Sequence, residues 1–72
     1  MIEVKETRGY MAGDRVRFIR TGETGEVAVA NRQSVGMLGI RFDSHAEHRH
    51  DLDGAVSNGY GWWVHPHEIE RE

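Results

Sequence analysis

Hydrophobic and polar positions alternate in several short stretches of this chain, and the alternation predicts strands. In residues 14–18, Val16 and Phe18 fall on one face and Arg15 and Arg17 on the other. Residues 21–25, Thr-Gly-Glu-Thr-Gly, read as a turn. Residues 26–30 alternate again, which sends Val27 and Val29 to one face. Residues 31–34 are polar and read as a loop. In residues 37–42, Leu38, Ile40 and Phe42 face inward, with Gly39 and Arg41 outward. Residues 60–65 form the fourth strand; Tyr60, Trp62 and Val64 share one face, and Gly61, Trp63 and His65 the other. Pro66 stops that ladder, and residues 67–70 form a short turn or a last strand. Ile2 and Val4 also alternate, so residues 1–10 read as an N-terminal arm or edge strand before a single domain over residues 11–72. The predicted core is Val16, Phe18, Val27, Val29, Leu38, Ile40, Phe42, Trp62 and Val64. No stretch carries a clean helical period without a glycine interruption.

Between the third and fourth strands lies a long loop. Residues 43–59 have no apolar period and hold three of the five histidines. A connection of this length is uncommon in a small domain and is more often functional or mobile than a plain link. The expectation is that residues 44–58 are the most mobile part of the domain.

Short glycine-punctuated strands of this number predict an all-β fold, a small antiparallel barrel with a long loop before its fourth strand. The residues Gly13-Asp14-Arg-Val-Arg-Phe-Ile, Gly22-Glu-Thr-Gly25-Glu-Val27 and Gly39-Ile-Arg-Phe-Asp43 resemble the opening strands of Src-homology-3-like barrels, in their KOW and Tudor-like branch. The ending, Gly59-Tyr-Gly-Trp-Trp-Val64 followed by Glu68-Ile-Glu70, resembles small barrel proteins of bacteriophages. The resemblance spans about residues 11–70. It implies a binding module, with RNA or protein as partner, and a phage protein that docks on a host factor and modulates it. That phage group has no general activity to carry over.

Composition narrows the classes. The chain has 72 residues and no cysteine. Disulfides and thiolate zinc sites are therefore excluded. No apolar run reaches the roughly 20 residues that span a bilayer, and the N-terminus lacks a signal-peptide layout. The expected location is cytoplasmic, that of the bacterial host for a phage protein, with no membrane partner. Residues 1–42 carry seven basic and five acidic side chains, and residues 43–72 carry two and seven. The net charge of −3 argues against a generic nucleic-acid binder, which usually shows a basic excess.

Three candidate sites follow. The first is a protein-binding surface around Trp63 and His65, rimmed by Asp51, Asp53 and Glu68. Exposed tryptophan is enriched among residues that carry binding energy, and the acids suit a basic partner. The second uses Arg15, Arg17 and Arg41 as phosphate contacts in a KOW-like nucleic-acid module. The third places zinc or another divalent metal on His45, His48 and His50 in a regulatory loop, since neutral imidazole suits such ions; the first two readings need no cofactor. Catalysis has no recognised nucleophile motif to support it, so the expectation is a binding protein and not an enzyme.

Overall fold

A computed structural model describes residues 9–32 and 36–72. Ile2 and Val4, and with them the proposed N-terminal edge strand, lie outside the described residues. Five strands form one antiparallel sheet: β1 (Arg15–Phe18), β2 (Thr24–Arg32), β3 (Met37–Phe42), β4 (Gly61–Val64) and β5 (Ile69–Arg71). A single 3₁₀ turn, Pro66–Glu68, joins the last two strands. Both forms expected of residues 67–70, turn and strand, are present in succession. β2 runs past the predicted end at residue 30 to include Asn31 and Arg32.

The strand order is β4-β3-β2-β1-β5. Strands β1 to β4 follow one another as neighbours, except that β5 returns to the outer side of β1. The sheet is all-β as expected, but it is open: among the described residues no ladder joins β4 to β5. β5 has three residues and spends its pairing on β1. The outer edge of β4 is met instead by the loop, through a bridge between His50 and Gly61.

One face of the sheet carries the main core. Val16, Val27, Leu38, Ile40, Phe42 and Val64 are buried there, joined by Tyr10 and Ile69, with Phe18 and Ala30 packed at the margin. Tyr10 belongs to this core, so the folded unit begins before residue 11. Its ring also lies 4.3 Å from the Arg71 guanidinium.

The expectation that Val29 joins Val27 is corrected by the register. Val27 pairs with Ile40, but Val29 pairs with Gly39, the adjacent residue of β3. The shift is a β-bulge, with Ala28 as the unpaired extra residue. One extra residue reverses the face of everything that follows until the next irregularity. Val29 is therefore sent to the opposite face and is only half-buried.

The second face carries a row of charges and a small apolar patch. Arg15 lies opposite Glu26, Glu26 opposite Arg41, and Arg41 opposite Gly61. Beside them, Val29, Gly39 and Trp63 form a second cross-strand row. Gly39 and Gly61 leave a hollow there. A Cβ on Gly39 would lie 2.8 Å from Trp63 Cζ3 and 3.0 Å from Leu52 Cδ1; one on Gly61 would lie 2.6 Å from Leu52 Cγ. Leu52 comes from the long loop and fills the hollow, with 2% of its surface exposed.

Candidate functional site

Residues 43–60 are built as a succession of tight turns. Ala46 donates to the Gly59 carbonyl, Arg49 to that of Ala46, and His50 exchanges both backbone hydrogen bonds with Gly61. Gly54 and Val56 both donate to the Asp51 carbonyl. Leu52 and Asp53 adopt left-handed backbone, with φ of 53° and 59°. For leucine this conformation costs roughly 1–2 kcal/mol, while full burial of its side chain returns about 1.5–3 kcal/mol. The burial over Gly39 and Gly61 is thus what holds an unfavourable turn in place.

Arg49 is the second anchor. Its side chain is 2% exposed, in a stretch where the polar sequence predicts solvent. The guanidinium lies 4.0 Å from the centre of the Phe42 ring. It donates to the Ser44 carbonyl and, at 2.6 Å, to Glu23 Oε2. That bond, with a second from Thr21, holds the Glu23 carboxyl below its ordinary range. The loop is in this way tied to the turn between β1 and β2. The sequence offered no signal for Arg49; for Leu52 the signal was a lone leucine in a polar loop facing two outward glycines.

These anchors present the histidines to aromatic rings. His48 meets Trp62 edge-on at 5.3 Å between centroids, and His50 lies tilted against the same indole at 5.5 Å. His50 Nδ1 also accepts from the Leu52 N–H at 3.1 Å. His45 packs on Gly59 and meets Tyr60 edge-on at 5.5 Å. The three imidazoles that the metal reading required to converge are thus divided between two rings. Among the described residues no group of three or more His, Asp or Glu side chains is placed to hold a metal ion.

The roles expected of the two tryptophans are changed. The register sets Trp62 opposite Ile40, in line with the core, yet it is 37% exposed. It stands on the edge strand, where the loop imidazoles flank it. Trp63 is half-buried on the second face, over Gly39 and beside Leu52. The exposed indole is therefore that of Trp62.

The remaining candidates occupy separate places. His65 is exposed and stacks on His67 at 5.4 Å, and its backbone N–H donates to Glu68 Oε1 at 2.8 Å. Glu68 is engaged by that bond rather than offered as a rim. Asp51 is half-buried and Asp53 exposed. Arg15, Arg17 and Arg41 do share the second face, but each is matched by carboxylate. Arg15 makes a bidentate pair with Asp43 (2.6 and 3.0 Å) and meets Glu72 at 3.1 Å. Arg17 pairs with Glu70 and Arg41 with Glu26, both at 2.7 Å. Arg15, followed by Thr24, draws the Asp43 carboxyl down to about 2, and Asp43 in turn strengthens the charge on Arg15.

Comparison with protein-family models, with curated proteins and with solved structures gave no match. Among the described residues no helix is long and apolar enough to cross a membrane.

Proposed function

We propose that this chain is a small protein-binding module that docks on a basic segment of a partner protein through Trp62, His48 and His50. The observation that carries the reading is the exposed Trp62 indole, flanked by two imidazoles on an anchored loop. An aromatic side chain fixed before binding loses little conformational freedom on contact, which favours affinity. The acids that neighbour the two histidines in the chain, Glu47, Asp51 and Asp53, make no ion pair among the described residues. The loop's one cation, Arg49, is buried against Glu23. The loop's net negative charge suits lysine and arginine, and an indole face attracts such cations further.

The strand order with a return of β5 to β1, and the bulged β2, support the small-barrel resemblance. The resemblance of residues 59–70 to phage barrel proteins supports a bacteriophage origin, with a host factor in the bacterial cytoplasm as the partner. In the alternative nucleic-acid reading, phosphates would have to displace carboxylates already paired with Arg15, Arg17 and Arg41. A nuclear magnetic resonance titration with a lysine-rich peptide and, separately, a single-stranded RNA oligonucleotide tests the choice. The peptide is expected to shift the Trp62 Nε1–H and the His48 and His50 ring signals, and Trp62→Ala to abolish binding. Shifts confined to Arg15, Arg17 and Arg41 with RNA, or undiminished peptide binding by a folded Trp62→Ala, would overturn it.

A further inference from the structure

Two dipeptides in the chain have the chemistry for succinimide formation, Asp53-Gly54 and Asn58-Gly59. In this reaction the backbone nitrogen of the glycine attacks the side-chain carbonyl carbon of the preceding residue. A five-membered imide forms, and asparagine expels ammonia or aspartate expels water. Water then opens either carbonyl of the ring, giving aspartate or its isomer, in which the backbone runs through the side-chain carbon. Glycine speeds the attack because it has no Cβ to obstruct the nitrogen. Sequence alone leaves both pairs eligible.

The structure separates them by the state of the attacking nitrogen. The Gly54 N–H donates to the Asp51 carbonyl at 3.0 Å, inside the turn that Leu52 pins to the sheet. A hydrogen bond of about 1 kcal/mol that must first break slows attack severalfold. The Gly59 N–H makes no hydrogen bond among the described residues, and neither does the Asn58 carboxamide. Asn58 is exposed, so water reaches its carboxamide, while Gly59 is buried against the His45 ring. The bonds around it, Tyr60 N–H to the Ser57 carbonyl at 3.2 Å and Ala46 N–H to the Gly59 carbonyl at 3.0 Å, engage neither reacting atom. Ammonia also leaves more readily than the hydroxide that a carboxylate would have to expel.

We propose that Asn58-Gly59 is a site of spontaneous deamidation and isomerisation in the folded protein, and that Asp53-Gly54 is protected. Either product adds a carboxylate to a loop that already holds Glu47, Asp51 and Asp53 without ion pairs. The isomer also lengthens the main chain by one methylene next to Gly59. That glycine is where His45 packs and where Ala46 is held, and β4 with Trp62 begins two residues later. The modification therefore changes both the charge of the loop and the seat of the His45–Tyr60 contact.

The test uses the full folded chain and a synthetic peptide covering residues 55–62, incubated together in mildly alkaline, ammonia-free buffer until the peptide is fully converted. Peptide mapping by mass spectrometry locates the amide-to-acid change, and enzymatic methylation of isoaspartate reports the isomer. The expected result is conversion at residue 58 of the folded protein, isoaspartate absent at residue 53, and loss of the signal in Asn58→Gln. The His45 and Tyr60 ring resonances should shift in proportion to the converted fraction. An intact Asn58 in the folded protein, or isoaspartate at residue 53 at or before residue 58, would overturn the assignment.

Discussion

Arg49 and Glu23, 26 positions apart in the chain, form the contact that fastens the long loop to the first turn of the sheet, at 2.6 Å from Nη2 to Oε2. The two ends differ in their access to water: the Arg49 side chain is buried and that of Glu23 is partly exposed. The consequences of removing either end are therefore unequal. Glu23→Gln leaves a buried guanidinium with no counter-charge and should cost on the order of 2–3 kcal/mol, below the roughly 3–5 kcal/mol of a fully buried pair because Glu23 keeps contact with water. Adding Arg49→Met to that variant should recover part of the loss, because the stranded charge is gone. Urea unfolding of the single and double variants measures this; a double variant no more stable than Glu23→Gln would show that packing over Phe42, and not the charge, is what matters.

The tryptophans should respond in a particular order. Trp63→Ala empties the contact over Gly39 and unseats Leu52, and is expected to cost about 3–5 kcal/mol, enough to unfold a domain of this size. Trp62→Ala removes a partly exposed ring from the sheet edge and should cost less than half as much. Thermal melts of both variants decide the order.

The hollow under Leu52 depends on two absent side chains. Gly61→Ala puts a Cβ 2.6 Å from Leu52 Cγ and 2.9 Å from the His50 carbonyl. Leu52 can turn away, but the backbone oxygen cannot do so without breaking the His50–Gly61 bridge. The expected result is a destabilisation of about 1–3 kcal/mol, with faster hydrogen exchange at the His50 and Gly61 amides. Unchanged exchange at those two amides would refute the packing argument.

Acid should weaken the fold through Asp43. Its folded-state carboxyl is lowered from an ordinary 3.8 to about 2, by Arg15 first and Thr24 second. A depressed carboxyl contributes stability above its unfolded value and loses it as pH falls through the folded one. The loss therefore falls between about pH 4 and pH 2, with the Glu23 carboxyl, also lowered, adding in the same direction. Because Asp43 is well exposed, solvent screening makes the effect modest. Melting temperature followed across this window should fall less steeply in Asp43→Asn than in the parent.

Binding should depend on the two imidazoles that flank Trp62. They hold the indole in place before contact, and a ring fixed in advance loses less freedom on binding. Affinity for the lysine-rich peptide is expected to drop several-fold in a folded His48→Ala/His50→Ala variant. Equal affinities of the parent and the variant would remove the histidines from the site.

The alternation at residues 14–18, 37–42 and 60–65 was enough to place β1, β3 and β4, because a strand's side chains must point alternately to the two faces of a sheet. Together with the alternation at residues 26–30, it also identified Val16, Val27, Leu38, Ile40, Phe42 and Val64 as core. Period alone could not foresee the bulge at Ala28, which sends Val29 to the far side, since a bulge is a property of two paired strands. Nor could it rank the tryptophans. Trp62 has the inward phase, yet its strand became the edge, and exposure depends on what lies alongside. The loop shows the same division. Its composition gave the histidines and acids, but the burial of Arg49 and Leu52 came from partners at Glu23, Phe42, Gly39 and Gly61. Those contacts join residues distant in the chain, and only the folded sheet brings them within reach of one another.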